Sequence, residues 1–305
     1  MRKSGIALAL AGALALAACG SGGDGSQSVS KTTIPVSRKL VLASVDATTA
    51  AKTARIDMTT EMSGFDDNTF KMNGEGEIDF DSGDSRVTMY IDRAAGLGLG
   101  LDDGFEMRTV DGVVYMRMPS VVGEMPGVSG DKEWLAIDTS MRGGGSANFA
   151  PLGMTGQSDP TKALAYLQKV SDDVREVGTE EIRGVETTHY RATIDLSKSI
   201  DESEAPEGLR DTMKEFAGMF GDIPADIWID GDGRMRRERI EINFGDVFDR
   251  MPGGGKSAVG DYKMTQTLDL YDFGTPVEVE APPADQVESL GAGNLPTSKG
   301  FGEAA

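Results

Sequence analysis

Between residues 56 and 280 much of the chain alternates apolar and polar side chains with a period of two. Phe70, Met72, Ile78 and Phe80 fall on even positions, and Val87, Met89 and Ile91 on odd ones. Such alternation marks β-strands with one buried face and one wet face. A two-residue turn at Ser82-Gly83 would pair Ile78 with Val87, Gly76 with Met89 and Gly74 with Ile91, and would set Asp79 across from Arg86. A second hairpin is predicted at Asp111-Gly112, a dipeptide suited to a type I′ turn. Thr109 then meets Val114, Met107 meets Met116, and Phe105 meets Met118. The other face receives Arg108 with Tyr115 and Glu106 with Arg117, the latter a favourable cross-strand charge pair.

Further strands are predicted at 56 to 62, 133 to 138, 187 to 196, 224 to 230, 235 to 244, 262 to 272 and 276 to 280, each bounded by Gly, Pro, Asp or Ser. Together they give a large, mostly antiparallel sheet. Asp159-Pro160 supplies a helix start, Ala163, Leu167, Val170 and Val174 recur at helical spacing, and Gly178 follows as a stop. A second helix begins near Pro206 and carries Leu209, Met213, Phe216 and Phe220 before Gly221. A third, rich in Thr and β-branched residues, is expected at about 38 to 54. Each helix with a single apolar stripe must bury it against something. Gly-rich connections at 94 to 104, 141 to 158 and 251 to 260 are long for a compact domain, and the first two are candidates for a cavity mouth.

The N-terminal run MRKSGIALALAGALALAA has two cations, then an apolar stretch too short to cross a bilayer, ending in small residues before Cys19. It reads as a signal peptide over residues 1 to 18. Leu16-Ala17-Ala18-Cys19 resembles a bacterial lipobox, in which the cysteine receives a diacylglycerol. Two acyl chains anchor stably where one does not. Residues 19 to 37 then read as the lipidated cysteine and a Gly/Ser/Thr tether, residues 38 to 284 as one domain, and 285 to 305 as a disordered tail. The expected location is the extracytoplasmic side of the cell membrane, held by lipid.

Charge and chemistry narrow the function. Among 305 residues, 50 acids face 30 Lys and Arg, a formal charge of −20, and loss of Arg2 and Lys3 would make the body more acidic still. Such a surface is repelled by phosphate backbones, so nucleic acid is set aside as a partner. Cys19 is the one cysteine and His189 the one histidine. His189 alternates outward from Tyr190, Ala192 and Ile194, so it reads as a solvent-facing strand residue with no evident catalytic partner. No zinc site or Ser-His-Asp triad is predicted. In WIDGDGRMRRERIEI at 228 to 242, a calcium loop would need glycine where Met235 stands and an acid where Arg234 stands. A hairpin turn of two, three or four residues explains its glycines instead. No catalytic residue, metal or cofactor is predicted, and the reading is non-enzymatic.

What remains is a sheet with a methionine-rich apolar face. Met58, Met62, Met72, Met89, Met107, Met116, Met118 and Met264 all fall on apolar strand faces, and methionine adapts to variable apolar partners. The glycines placed opposite Met89 and Ile91 would leave volume unfilled. The lipobox, the run DPTKALAYLQKVSDDVREVGTEEIRGVETTHYRATIDL, the hairpin WIDGDGRMRRERI and the closing TPVEVEAPP together resemble the actinobacterial LppX/LprG-type lipoproteins, relatives of the LolA and LolB carriers. The resemblance implies an α+β fold, a curved antiparallel half-barrel whose concave face is covered by helices and encloses an apolar cavity for acyl chains. The candidate lining is Met58, Met62, Phe70, Met72, Ile78, Met89, Ile91, Phe105, Met107, Met116, Met118, Ile240, Ile242 and Leu268 from strands, with Leu167, Met213 and Phe216 from helices. The function expected is binding of a lipid or glycolipid for envelope transport or chaperoning, by a monomer that works with a membrane transporter. The alternative is an envelope sensor or regulatory interaction lipoprotein with the same fold and a filled core.

Overall fold

In the computed structural model of the chain, which describes residues 36–65, 68–91, 104–117, 131–138, 173–195, 207–250 and 262–289, the alternating segments join in an open, curved sheet. Its twelve strands are β1 (Thr53–Phe65), β2 (Asn68–Asp79), β3 (Ser85–Ile91), β4 (Phe105–Val110), β5 (Val113–Arg117), β6 (Trp134–Asp138), β7 (Arg175–Ile182), β8 (Val185–Asp195), β9 (Asp222–Asp230), β10 (Met235–Asn243), β11 (Lys263–Tyr271) and β12 (Val287–Ser289). The order across the sheet is β12-β6-β5-β4-β3-β2-β1-β11-β10-β9-β8-β7. Neighbours are antiparallel except β12, which runs parallel to β6. Among the described residues the α-helices are α1 (Val36–Thr49), α2 (Glu207–Phe220) and α3 (Phe244–Arg250).

The Asp111-Gly112 hairpin has the expected register, with Met107 opposite Met116, Thr109 opposite Val114 and Arg108 opposite Tyr115. Both turn residues have the positive φ that a type I′ turn requires, 50° and 77°. Met118 lies outside the described residues. Glu106 and Arg117 face each other, but Arg108 bonds Glu106 at 2.8 Å and Arg117 turns to Glu133 at 3.6 Å.

The β2-β3 hairpin differs from expectation by two residues. Gly74 pairs with Met89, Gly76 with Val87 and Ile78 with Ser85. The loop is longer because the Asp79 carboxylate caps it, accepting the N–H groups of Asp81 at 2.8 Å and Ser82 at 3.2 Å. A two-residue shift preserves each residue's face, so the apolar set stays together while the partners change. Arg86 consequently meets Glu77 at 2.6 Å and not Asp79. The glycines leave no void either. A Cβ on Gly74 would stand 2.4 Å from the Met89 sulfur, and one on Gly76 would stand 2.1 Å from the Arg86 carbonyl oxygen. Gly74 makes room for a thioether, and Gly76 for the neighbouring backbone.

The helices need similar adjustment. α1 ends at Thr49, not near 54, because the chain reverses through Lys52 at φ 69° and Thr53 already opens β1. α2 stops where expected, before Gly221 at φ 62°. Its end is tied by Arg250 of α3, which donates to the Met219 carbonyl at 2.8 Å. The helix expected from 159 cannot run to 178, because Arg175–Ile182 is β7 and Gly178 sits at a bulge in its pairing with β8. Residues 159 to 172, Leu167 among them, lie outside the described set.

Residues 276 to 280 form no strand. Pro276, Pro282 and Pro283 deny this stretch backbone donors, and it crosses the polar face as a strap. The carbonyls of Glu278, Glu280 and Asp285 accept bonds from Arg86 (2.9 Å), Arg108 (2.9 Å) and Lys132 (2.6 Å). The strap ends in β12, so Val287–Ser289, placed in the expected tail, pair with β6.

The core lies between the sheet and α1, which packs on β7, β9 and β10. Val41 and Val45 of α1 meet Ile56, Ile78, Ile227, Met235 and Leu270, and the Thr48 hydroxyl accepts the Met235 N–H at 2.9 Å. A smaller cluster of Met107, Met116, Leu135 and Ile137 joins the main one through Phe105.

These two glycines make opposite demands. Gly76→Ala is expected to cost up to about 3 kcal/mol, because its methyl meets backbone, whereas Gly74→Ala should cost below about 1 kcal/mol since the Met89 thioether can swing aside. Urea unfolding of both variants checks this, and equal costs would contradict the close strand approach.

Candidate functional site

The strand period sets a second face opposite the charged one, and register divides it into rows running across the sheet. The row nearest α1 contains Leu270, Ile56, Gly76, Val87, Met107, Met116 and Leu135. The next contains Tyr190, Ile227, Glu238, Leu268, Met58, Gly74, Met89 and Phe105. A third holds Ala225, Ile240, Gln266, Thr60, Met72 and Ile91, and a fourth Ile242, Met264, Met62 and Phe70.

Burial is uneven across these rows, and the outer two keep Ala225, Thr60 and Met264 buried. Ile56, Val87 and Leu270 are fully buried, and Met58, Met89 and Leu268 nearly so. Met72, Ile240, Ile242, Met62 and Phe70 in the outer two rows are only half-buried. The face therefore carries these five as a strip incompletely covered by the rest of the chain, interrupted by the buried Met264 on β11 and Thr60 on β1. Among the other predicted lining residues, Ile78 is sealed against the α1 end, Phe105 is half-buried, and Met107 and Met116 belong to the smaller cluster. Ile91 pairs with Met72 through its backbone, and Met213 and Phe216 fall on α2. The side chains of these last three, like Leu167 and Met118 as a whole, lie outside the described residues.

Sequence reasoning passed over the polar members of the face. Glu238 is 5% exposed, flanked by Ile227 and Leu268, and its Oε1 has no hydrogen-bond partner. Burial pushes its carboxyl up to about 8. Thr60 is fully buried opposite Gln266, whose amide donates to the Met58 sulfur at 3.4 Å. Parity alone could have found Glu238, since it shares its face with Ile240 and Ile242.

The opposite face is charged and tightly paired. Arg237 forks onto Asp269 at 2.6 and 2.7 Å. Arg183 bonds Asp57 and lies 3.9 Å over the Tyr271 ring, and the Tyr271 hydroxyl donates to Asp57 at 2.9 Å. Burial and the neighbouring Asp57 push that hydroxyl up to about 12. His189 stands here, but it is not solvent-facing and partnerless as expected. Its Nε2 lies 2.7 Å from Asp226, its ring stacks on Trp228 at 4.3 Å, and its side chain is 13% exposed.

Asp230 is likewise occupied. Its Oδ1 accepts the N–H groups of Asp232 and Arg234 at 3.0 and 2.9 Å, and its Oδ2 accepts Arg236 at 2.7 Å. Burial raises that carboxyl's pKa, but these donors and the Arg234 and Arg236 charges outweigh it and hold the group below its ordinary range. The hairpin turn is a three-residue loop, Gly231 to Gly233. An open polar groove of about 580 Å³ lies on this face between Arg55, Glu75, Arg86 and Tyr271. Its two guanidinium groups both bond Glu77.

No family model matches the chain. It is 26% identical over 250 residues to an uncharacterized 31.2 kDa protein in the rplA-rplJ intergenic region of Streptomyces griseus, spanning 78% of this chain and 73% of that one. The crystal structure of the lipoprotein LppX of Mycobacterium tuberculosis is similar at 15% identity and a TM-score of 0.39, over 79% of this chain and 99% of that one. That of LprF from Mycobacterium bovis is similar at 12% identity and a TM-score of 0.40, over 81% and 96%. These are likenesses of fold.

A carboxyl raised from its ordinary value to about 8 gives stability a definite slope. Between about pH 4.5 and 8 the native state keeps a proton that the unfolded chain releases, so this group's contribution is present in acid and lost as pH rises. Arg237 and Arg239 stand on the opposite face, and the α1 residues buried against the core are Val41, Ser44, Val45 and Thr48. Glu238→Gln is expected to match the parent near pH 4 and exceed it by on the order of a few kcal/mol at pH 8.5. Unfolding of both proteins across that range checks this; a constant difference would contradict a buried, protonated acid.

Proposed function

We propose that this chain is a membrane-anchored lipoprotein that binds lipid acyl chains on the helix-bearing face of its sheet, and carries or chaperones lipid in the cell envelope. The observation that carries the reading is the half-buried strip of Met62, Phe70, Met72, Ile240 and Ile242, an apolar surface beside a well-packed core. Each methylene taken from water is worth about 0.8 kcal/mol, so a lipid leaves a bilayer only for a site of comparable apolarity. Two of the five, Met62 on β1 and Met72 on β2, are methionines, whose flexible side chains follow the shape of a variable chain. Cys19 supplies the diacylglycerol anchor, the residues between it and α1 the tether, and the outer side of the cell membrane the site of action. The body acts as a monomer, and a membrane transporter is the natural partner for the lipid it holds.

A second reading is favoured by the close fit at Gly74 and Gly76 and the sealed row beside α1. On that reading the fold is a filled body serving an envelope sensor or regulatory partner. Lipid content separates the two. Organic extraction of the full chain purified from its own membranes should release acyl lipid at near one equivalent, detected by mass spectrometry. Met72→Glu places a carboxylate in the strip and should lower that yield at least tenfold, with thermal unfolding showing the fold retained. Protein that yields no lipid in either form would favour the filled-core reading.

The anchor is tested separately. Cys19→Ser should release the chain from the membrane fraction and remove the mass of a diacylglycerol from its N-terminal peptide; membrane retention without that mass would overturn the lipobox assignment.

A further inference from the structure

Glu238 is hard to explain as part of an ordinary core. It stands mid-row on the apolar face, between Ile227 on β9 and Leu268 on β11, with Met58 beyond. Leaving a buried carboxyl oxygen unpaired costs more than one hydrogen bond returns. The two charged neighbours on its own strand do not help, because Arg237 and Arg239 stand on the other face, where Arg237 is committed to Asp269. Two more polar groups lie beside it on the same face. Register puts Gln266 diagonally across β11 from Glu238 and directly opposite Ile240, and Thr60 on β1 directly opposite Gln266. Diagonal and direct neighbours of this kind stand within roughly 8 Å and 5 Å. Three adjacent strands thus carry one polar patch, which interrupts the Met58 and Leu268 row at Glu238 and lies between the Ile56 and Leu270 row on one side and the Ile242, Met264, Met62 and Phe70 row on the other.

We propose that Glu238, with Gln266 and Thr60 beside it, holds an uncharged hydroxyl or amide group within the lipid, so that the acyl lipid accepted by this face is one carrying such a group. The inference rests on the acyl-binding reading above and names its ligand class. A carboxyl held mostly protonated near neutrality by burial offers one donor and one acceptor, as a hydroxyl does. Gln266 and Thr60 each offer both as well. By register, no lysine or arginine stands on this face in β1, β2, β3, β4, β8, β9 or β11. A phosphate or carboxylate here would face an acid without a strand cation to balance it, which disfavours anionic groups at this point of the site.

The test uses the full chain, stripped of bound lipid, and two neutral probes with one acyl chain in common. Monooleoylglycerol carries hydroxyl groups, and methyl oleate carries no donor. Each is equilibrated in isotope-labelled form, and the retained ligand is counted after gel filtration. The parent should retain monooleoylglycerol roughly tenfold better, the value of one good hydrogen bond to a buried group. Glu238→Leu should reduce that preference to within about twofold while leaving methyl oleate bound, and Glu238→Gln should keep most of it. Circular dichroism melting confirms that both variants fold. Binding of both probes with a preference that Glu238→Leu does not change overturns the assignment and leaves acyl binding intact. Retention of neither probe overturns both.

Discussion

The two-residue period of the β-strand is the constraint on which this molecule depends. Each side chain in β1, β2, β3, β10 and β11 must choose one face, and hydrogen bonding across twelve strands propagates that choice over the sheet. One face becomes apolar in ordered rows and the other a lattice of carboxylates and guanidinium groups. Because a slip of one residue would exchange the faces wholesale, registers that differ by two are the nearest competitors. The β2-β3 hairpin illustrates this: the Asp79 carboxylate chooses between two such registers by capping the longer loop.

The charged face shows how an acidic chain holds its cations. Glu77 takes both Arg55 and Arg86, Asp269 takes Arg237 and Arg183, and Asp226 takes Arg191. In each pair the acid is largely buried and the guanidinium partly exposed, so the desolvation of the acid offsets much of the attraction. Their arrangement does more, since Glu77 on β2 joins Arg55 of β1 to Arg86 of β3, and Asp269 on β11 joins Arg237 of β10 to Arg183 of the β7-β8 turn, which supports the order of the elements beneath. Cation-π contacts of Arg108 over Trp134 and Arg236 over Phe273 extend the same pattern to the sheet's edge and to the start of the strap.

Much of this was legible in the sequence, and the failures have physical causes. Asp111-Gly112 fixed its hairpin because two adjacent positive-φ positions admit few residues. Ser82-Gly83 misled because Asp79 lies upstream of the turn it caps. The helix end near 178 failed because Gly178, a plausible stop, serves equally as a bulge in an edge strand. The strip was readable as parity, and its incomplete cover depends on where α1 packs, which no local pattern encodes. Glu238 was masked by its surroundings, since RRERIEI reads as a solvated strand until Ile240 and Ile242 assign its face. His189 gained a partner from Asp226, 37 residues away, a distance at which sequence spacing says nothing.

The strap carries a kinetic consequence. β6 lies next to one margin of the sheet, and among the described residues its outer side pairs with Val287–Ser289, more than 140 residues downstream by sequence order. During synthesis that margin must wait, without this partner, until residues 287 to 289 have been made. A contact of such long separation is slow to form, and an unpaired strand margin is the usual template for unwanted pairing between chains. In the folded chain Arg86 and Arg108, bonded to the Glu278 and Glu280 carbonyls, hold the segment leading into β12 against the polar face.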